Sequence, residues 1–258
     1  MTEGPGFYDD ERVFATYLAH RRRPDNPNDT LERPALLELL GSVAGLRVLD
    51  LGCGDARFGR ELLAEGCQSY TGLEGSHNMA AAARETLAGT AGRLVESTIE
   101  AWEYPPDAFD LVVSRLALHY VDDVGAVCRQ VARTLVEGGR FVFSVEHPVI
   151  TSCDRGWPAG TQRQDWLVDE YHVPGRRVTS WLGGEVVKYH RTVEEYFRLL
   201  QAAGFTIEGL REGRPRRELL ASEETYRRRL RIPLFLLLAA RKPQPGTAGR
   251  AQQTTVRC

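Results

Sequence analysis

Residues Arg47 to Gly59, reading Arg-Val-Leu-Asp-Leu-Gly-Cys-Gly-Asp-Ala-Arg-Phe-Gly, constrain this chain more than any other stretch. The apolar residues Val48, Leu49 and Leu51 form a strand that runs into two glycines one residue apart, and a helical run, Phe58 to Glu65, follows at once. Gly52 and Gly54 can turn the chain sharply and, lacking Cβ, let a ligand approach the backbone. The helix that follows offers unpaired N–H groups at its start. A nicotinamide or flavin turn wants Gly-x-Gly-x-x-Gly, or Ala at the last place. Arg57 stands there, so a pyrophosphate turn of that kind is disfavoured. Asp50, just before the first glycine, puts negative charge at the turn, which suits a cationic or amino-bearing ligand better than a phosphate.

The chain around this turn alternates strand and helix. Val13 to Arg23 forms a short helix with Phe14, Tyr17 and Leu18 on one face, ended by Pro24 and the loop Asp25-Asn26-Pro27-Asn28-Asp29. Glu32 to Leu40 reads as a second helix closing at Gly41. Strands are expected at Ser69 to Leu73, Arg93 to Glu96, Phe109 to Val113 and Arg140 to Val145, the last after a Glu137-Gly138-Gly139 turn. Helices at Met79 to Leu87 and Val124 to Leu135 lie between them. This alternation implies a doubly wound, mostly parallel, right-handed sheet with both faces covered. Glu74 falls at the end of the second strand, about 22 residues beyond Gly52, where a carboxylate can accept ribose hydroxyls.

Residues 146–191 break the pattern and carry Trp157, Trp166, Tyr171, Trp181 and Tyr189. Within them, Arg177 to Leu182 and Glu185 to Arg191 read as a β-hairpin with Gly183-Gly184 as its turn. This segment is expected to form a cap over the ligand-binding edge. Thr192-Val193-Glu194-Glu195 is a capping box opening a helix that ends near Gly204. Thr206 to Leu210 and Pro233 to Arg241 are the last two strands. Residues 1–11 are expected to fray and 243–258 to form a disordered tail. That leaves one domain over residues 1–242, with 12–41 as N-terminal lid helices.

Composition narrows the function classes. Charged residues make up 26% of the 258 and the net charge is −2, so nothing draws the whole chain to nucleic acid or an anionic surface. The basic clusters at Arg21 to Arg23, Arg214 to Arg217 and Arg227 to Arg231 read as solvated faces, and action on RNA is a minor alternative. Five scattered cysteines without a C-x-x-C pair argue against a disulfide framework or a zinc site. The polar, acidic stretch Met1 to Glu11 does not read as a secretory leader. Ile232 to Ala240 is too short to span a bilayer. The expectation is a cytoplasmic protein with no metal, membrane or nucleic-acid partner, either monomer or homodimer.

With these elements in place, most of residues 13–242 resembles a bacterial class I S-adenosylmethionine (SAM) methyltransferase of the group acting on small molecules. Val48 to Gly54, Gly72-Leu73-Glu74-Gly75-Ser76 with Met79, and Phe109 to Ser114 carry the resemblance, together with Leu116 to Tyr120 and the Glu137-Gly138-Gly139 turn. It implies a Rossmann-like seven-stranded sheet with the last strand antiparallel, and SAM as cofactor. It further implies that Gly52 and Gly54 lie under the methionine and ribose, with Cys53 and Gly75 beside them and Asp50 near the amino group. Glu74 would take the ribose hydroxyls, and Thr98 and Ile99 would meet the adenine. Thr98 departs from the usual acid. Ser114 would offer its carbonyl to the amino group, and Leu116 would shape the wall. Tyr17, Arg21 and Asn28 come from the segment resembling the family's lid.

Methyl transfer from a sulfonium is an in-line displacement, so the protein mainly supplies position and desolvation. A base is needed only when the acceptor holds its proton tightly. His119, His147 and His190 stand near strand ends or the hairpin and are the candidates. Each has a plain structural alternative: packing on the cofactor, a turn, or the hairpin interior. The acceptor is expected to be a small molecule methylated on O, N or C, in keeping with a specialised metabolite. A protein that binds SAM without transferring methyl, such as a cyclase, is the alternative of another class.

Overall fold

The computed structural model describes residues 4–156 and 165–244. Seven strands form one sheet: Arg47–Leu51 (β1), Ser69–Glu74 (β2), Gly92–Glu96 (β3), Phe109–Arg115 (β4), Leu135–Glu146 (β5), Thr206–Glu212 (β8) and Phe235–Arg241 (β9). Gly175–Trp181 (β6) and Gly184–His190 (β7) pair separately. The helices are Glu11–Arg21 (α1), Arg33–Leu40 (α2), Arg57–Ala64 (α3), His77–Leu87 (α4), Val124–Thr134 (α5), Pro148–Thr151 (α6), Val193–Ala202 (α7) and Glu223–Arg229 (α8).

The strand order is β3-β2-β1-β4-β5-β9-β8, parallel from β3 through β5, with β9 antiparallel to both β5 and β8. The order reverses between β1 and β4, which places a crevice outside their carboxyl ends. Alternate residues feed two cores. Leu49 and Leu51 of β1, Phe141 and Phe143 of β5, and Leu236 and Leu238 of β9 pack with α5 and α7. Val48, Val142, Leu237 and Ala239 face α2, α3 and α4. Both faces are therefore covered, as the apolar runs require.

Four local features differ from the sequence expectation. Gly4–Asp9 forms a 3-10 turn with Phe7 buried against Val13 and Val186 rather than fraying. Asn28–Glu32 is a π-helical turn leading straight into α2, where Asn28 and Asp29 were expected in a loop. The Glu137-Gly138-Gly139 turn lies inside β5 as an irregularity against Phe109 and Leu111 of β4, with Gly138 at φ 78°. The hairpin turn is Leu182-Gly183, both at positive φ, and Gly184 already pairs with Trp181. Glycine is needed just after the turn, since a Cβ on Gly184 would come to 3.0 Å from the Phe7 ring. The short helix α8 had no apolar period to announce it. Trp157 and residues 245–258 of the expected tail lie outside the described residues.

Candidate active site

A cavity of about 790 Å³ opens at the carboxyl ends of β1, β2 and β4, under the N-terminal segment and the hairpin. At its inner end the glycine turn is held by backbone bonds. Gly52 and Cys53 N–H groups donate to the Leu73 carbonyl at 2.8 and 3.0 Å. Gly52 takes φ 72°, and a Cβ there would lie 2.5 Å from that of Ala117. Any larger residue would both strain the turn and collide with the cavity wall. Cys53 faces Gly72, whose missing Cβ leaves room for its sulfur. Burial pushes its thiol well above the usual range, so it is an inert wall residue.

Two carboxylates flank the turn. Glu74 accepts from Gly54 N–H through Oε2 and from Ser76 N–H through Oε1, both at 2.8 Å. Each oxygen keeps a lone-pair site for a ligand donor. Asp50 accepts from Tyr70 O–H at 2.8 Å through Oδ2, while its buried Oδ1 has no protein partner. Burial raises the Asp50 carboxyl to about 7. A folded value above the unfolded one of about 3.9 means that this group favours folding most below pH 4, and that the advantage is lost as pH rises to 7. Asp50→Asn is therefore expected to raise the melting temperature of the ligand-free protein more at pH 8 than at pH 4. A pH-independent difference between variant and parent would show that Asp50 does not titrate in this range.

The structure brings most of the expected residues to this cavity: Tyr17, Arg21, Asn28, Asp50, Gly52, Cys53, Gly54, Glu74, Gly75, Ile99 and Leu116 line it. Arg21 is clasped by Asp29 and cannot act as an isolated cation. Thr98 and Ser114 are not among the lining residues. The Thr98 hydroxyl accepts from Ala101 N–H, and Glu100 lines the cavity instead. Ser114 is fully buried and donates to the Leu51 carbonyl, with Arg115 beside it as the wall.

Two of the three histidines lie outside the lining of the cavity. His147 caps α6 through Nδ1, which accepts from Val149 N–H, and its Nε2 lies 3.0 Å from Glu212 at the end of β8. His190 is fully buried, with Nδ1 on the Thr151 hydroxyl and Nε2 donating to the Tyr171 carbonyl. Neither lines the cavity; each has both ring nitrogens engaged. His147→Ala is thus expected to cost about 1 kcal/mol of stability and to leave steady-state methyl-transfer kinetics unchanged. A fall in kcat with unaltered melting would return it to the site. His119 does line the cavity. Its Nδ1 accepts from Glu146 N–H at 3.4 Å, so the neutral ring carries its proton on Nε2. Burial lowers it to about 4.

Tyr8 and Tyr120, which the sequence did not single out as site residues, also line the cavity. Tyr8 and Tyr120 hydroxyls lie 3.2 Å apart, and Tyr17 meets the Tyr8 ring edge-on at 5.2 Å between centroids. Trp181 and Glu146 complete this wall. The N-terminal segment is fixed here because Asp9 accepts from Ser76 O–H and Asn78 N–H, and Pro5 fills the space beside Gly75. An aromatic pair, Phe7-Tyr8, in an otherwise polar stretch was the available signal. Among the described residues no cluster of three metal-ligating side chains occurs, and no helix is long and apolar enough to cross a membrane.

Comparison with known proteins agrees with this geometry. Residues 49–143 match a methyltransferase domain model. The crystal structure of a SAM-dependent methyltransferase from Mesorhizobium loti superposes with a TM-score of 0.76 at 40% identity, covering 81% of this chain and 97% of that one. A Listeria monocytogenes protein to which the same activity is ascribed gives 0.77 at 33% identity, covering 83% and 97%. A ubiquinone biosynthesis O-methyltransferase of Vibrio cholerae is 34% identical over 112 residues, 42% of this chain and 45% of that one. An acceptor-lined turn with an orphaned carboxylate oxygen fits a ligand that brings an amino group and hydroxyls, and SAM is the cofactor. The chain belongs to the class I SAM-dependent methyltransferases.

Proposed function

We propose that this protein transfers the methyl group of SAM to an oxygen, nitrogen or carbon nucleophile of a small molecule, in keeping with a specialised metabolite. The observation that carries the proposal is the continuity of one cavity from the Asp50–Glu74 turn to the wall of Tyr8, Tyr120, His119 and Glu146. Its volume lies in the upper part of the roughly 300–1,000 Å³ range of small-molecule sites, which leaves room for a cofactor and an acceptor together. Resemblance to O-methyltransferases supports oxygen among the acceptor atoms.

In this reading Gly52 and Gly54 back the methionine and ribose of SAM. The free Asp50 oxygen takes the amino group, Glu74 the ribose hydroxyls, and Ile99 packs on the adenine. SAM supplies an electrophilic methyl on a sulfonium. The chain's own work is to hold the acceptor in line, exclude water and position hydrogen-bond donors. His119, neutral with Nε2–H exposed to the cavity, acts as a donor rather than a base. Residues 1–242 form one domain, with helices over 12–41 and the cap at 146–191 closing the site. Members of the basic clusters pair with carboxylates, among them Arg216 with Glu38, Arg227 with Glu223 and Arg231 with Asp165, in keeping with solvated faces and a cytoplasmic setting without nucleic acid.

Calorimetric titration with SAM, S-adenosylhomocysteine and NAD tests the cofactor end. Micromolar binding of the two adenosyl ligands without NAD is expected. Acceptor-dependent methyl release from labelled SAM then tests transfer. Binding without turnover on any acceptor in a broad panel would favour a non-transferring SAM protein.

A further inference from the structure

In the wall of the cavity a carboxylate and two aromatic rings make up the components of an ammonium site, and the chain supplies its own ammonium to them from behind. Glu146 lines the cavity at the end of β5. Lys188 Nζ, from β7, donates to both of its carboxylate oxygens at 2.7 and 2.8 Å. The same ammonium lies 5.6 Å from the centroid of Trp181 and 6.0 Å from that of Tyr120. A carboxylate beside two aromatic faces is an arrangement that attracts cations. Lys188 is only 4% exposed and is not among the cavity's lining residues, so it neutralises Glu146 from behind the wall rather than as a surface side chain passing over it. An ammonium-bearing molecule would meet a neutralised carboxylate and rings that already hold a cation.

What remains on offer is hydrogen-bond donation. The Nε2–H of His119 is one donor. Tyr8 and Tyr120 share one hydroxyl proton between them, and the second is free to donate to a ligand. Basicity is lacking at this end. Burial depresses His119 to about 4 and raises both phenols. Burial also works to raise Glu146, but the charge and hydrogen bonds of Lys188 outweigh it and hold the carboxyl below its usual range. None of these groups can draw a proton from an alcohol at neutral pH.

We infer that the acceptor is an oxygen acid already ionised at neutral pH, a carboxylate or an acidic phenol or enol, and that Lys188 is the specificity residue that keeps ammonium-bearing molecules out. The inference rests on the methyl-transfer reading above. The oxyanion's lone pair forms the new C–O bond while the methyl–sulfur bond breaks and its electron pair returns to sulfur. A negative and a positive charge are cancelled, and no proton is moved. This is why a site without a base suffices.

The test is ligand-observed NMR on the full chain saturated with S-adenosylhomocysteine, with benzoate, benzyl alcohol and benzyltrimethylammonium as matched probes. Benzoate is expected to bind at least about tenfold more tightly than the quaternary ammonium. In Lys188→Met the ammonium probe is expected to gain about tenfold or more and benzoate to lose affinity. Equal or preferential binding of the ammonium by the parent protein overturns the inference, as does the absence of benzoate binding at millimolar concentration. The parent comparison stands even if Lys188→Met fails to fold. Should S-adenosylhomocysteine itself not bind, the methyl-transfer reading fails at that earlier step; binding of it with the wrong probe order removes the acceptor assignment alone.

Discussion

Replacement of Glu74 by alanine is expected to weaken S-adenosylhomocysteine binding by roughly 30- to 900-fold, the equivalent of about 2–4 kcal/mol for two charge-assisted hydrogen bonds. The expectation has two sources in the structure. Glu74 keeps one acceptor site on each oxygen for ligand hydroxyls. It also ties Gly54 N–H and Ser76 N–H together across the cavity floor, so its loss loosens the turn that the cofactor lies against. Glu74→Gln separates the two contributions only in part, because its amide group would point a donor at a backbone N–H. Calorimetric titration of the alanine variant, with circular dichroism to establish folding, gives the answer. Undiminished affinity in a folded variant would remove Glu74 from the cofactor site.

The second large effect concerns stability. Glu32 is fully buried at the start of α2 and accepts from Arg115 of β4 through Nη2 at 2.5 Å and Nε at 3.3 Å, while Ser144 of β5 donates to it at 2.8 Å. Arg115 also stacks over Phe58 at 4.5 Å. Glu32→Ala would leave a guanidinium in the protein interior without its counter-charge, a change that costs about 3–5 kcal/mol. For a chain of this size the melting temperature should fall by roughly 6–20 °C. Glu32→Leu combined with Arg115→Leu should recover much of the loss, since replacing both charges removes the uncompensated ion. Thermal unfolding of the three proteins distinguishes the cases. A shift of about 2 °C or less for Glu32→Ala would mean that Arg115 turns into the cavity and finds water.

The frame of this protein was readable because its signals are local. A strand entering Gly52-Cys53-Gly54 and an acid at the end of β2 are written in consecutive residues. The period-2 split of β1, β5 and β9 between two cores needs no tertiary knowledge beyond covered faces. The acceptor end could not be read in the same way. Tyr8 and Tyr120 meet across the fold, and Lys188 reaches Glu146 from another sheet. Such pairs depend on where the N-terminal segment and the hairpin land. The histidines show the same limit from the other side. His147 and His190 stand at strand ends, as a catalytic residue would, yet their rings are turned into hydrogen bonds with Glu212 and with Thr151 and Tyr171. Sequence position fixes the Cα, and the direction of the ring follows from neighbours that the sequence does not name. The hairpin turn makes the point at one residue: two adjacent glycines invited a Gly183-Gly184 turn, but the turn is Leu182-Gly183, and Gly184 pairs with Trp181 where a side chain would meet the Phe7 ring.

The Asp50 carboxyl, half-protonated near neutrality in the free protein because it is buried, makes cofactor binding a proton-release reaction. A ligand amino group at its orphaned oxygen favours the ionised form, so a fraction of a proton leaves for the buffer as the complex forms. Heats measured at pH 7 will then differ between Tris and phosphate by that fraction times the difference in their ionisation enthalpies, while the dissociation constant stays the same. The buffer dependence at pH 7 should largely disappear in Asp50→Asn, which turns a calorimeter into a counter of this one proton.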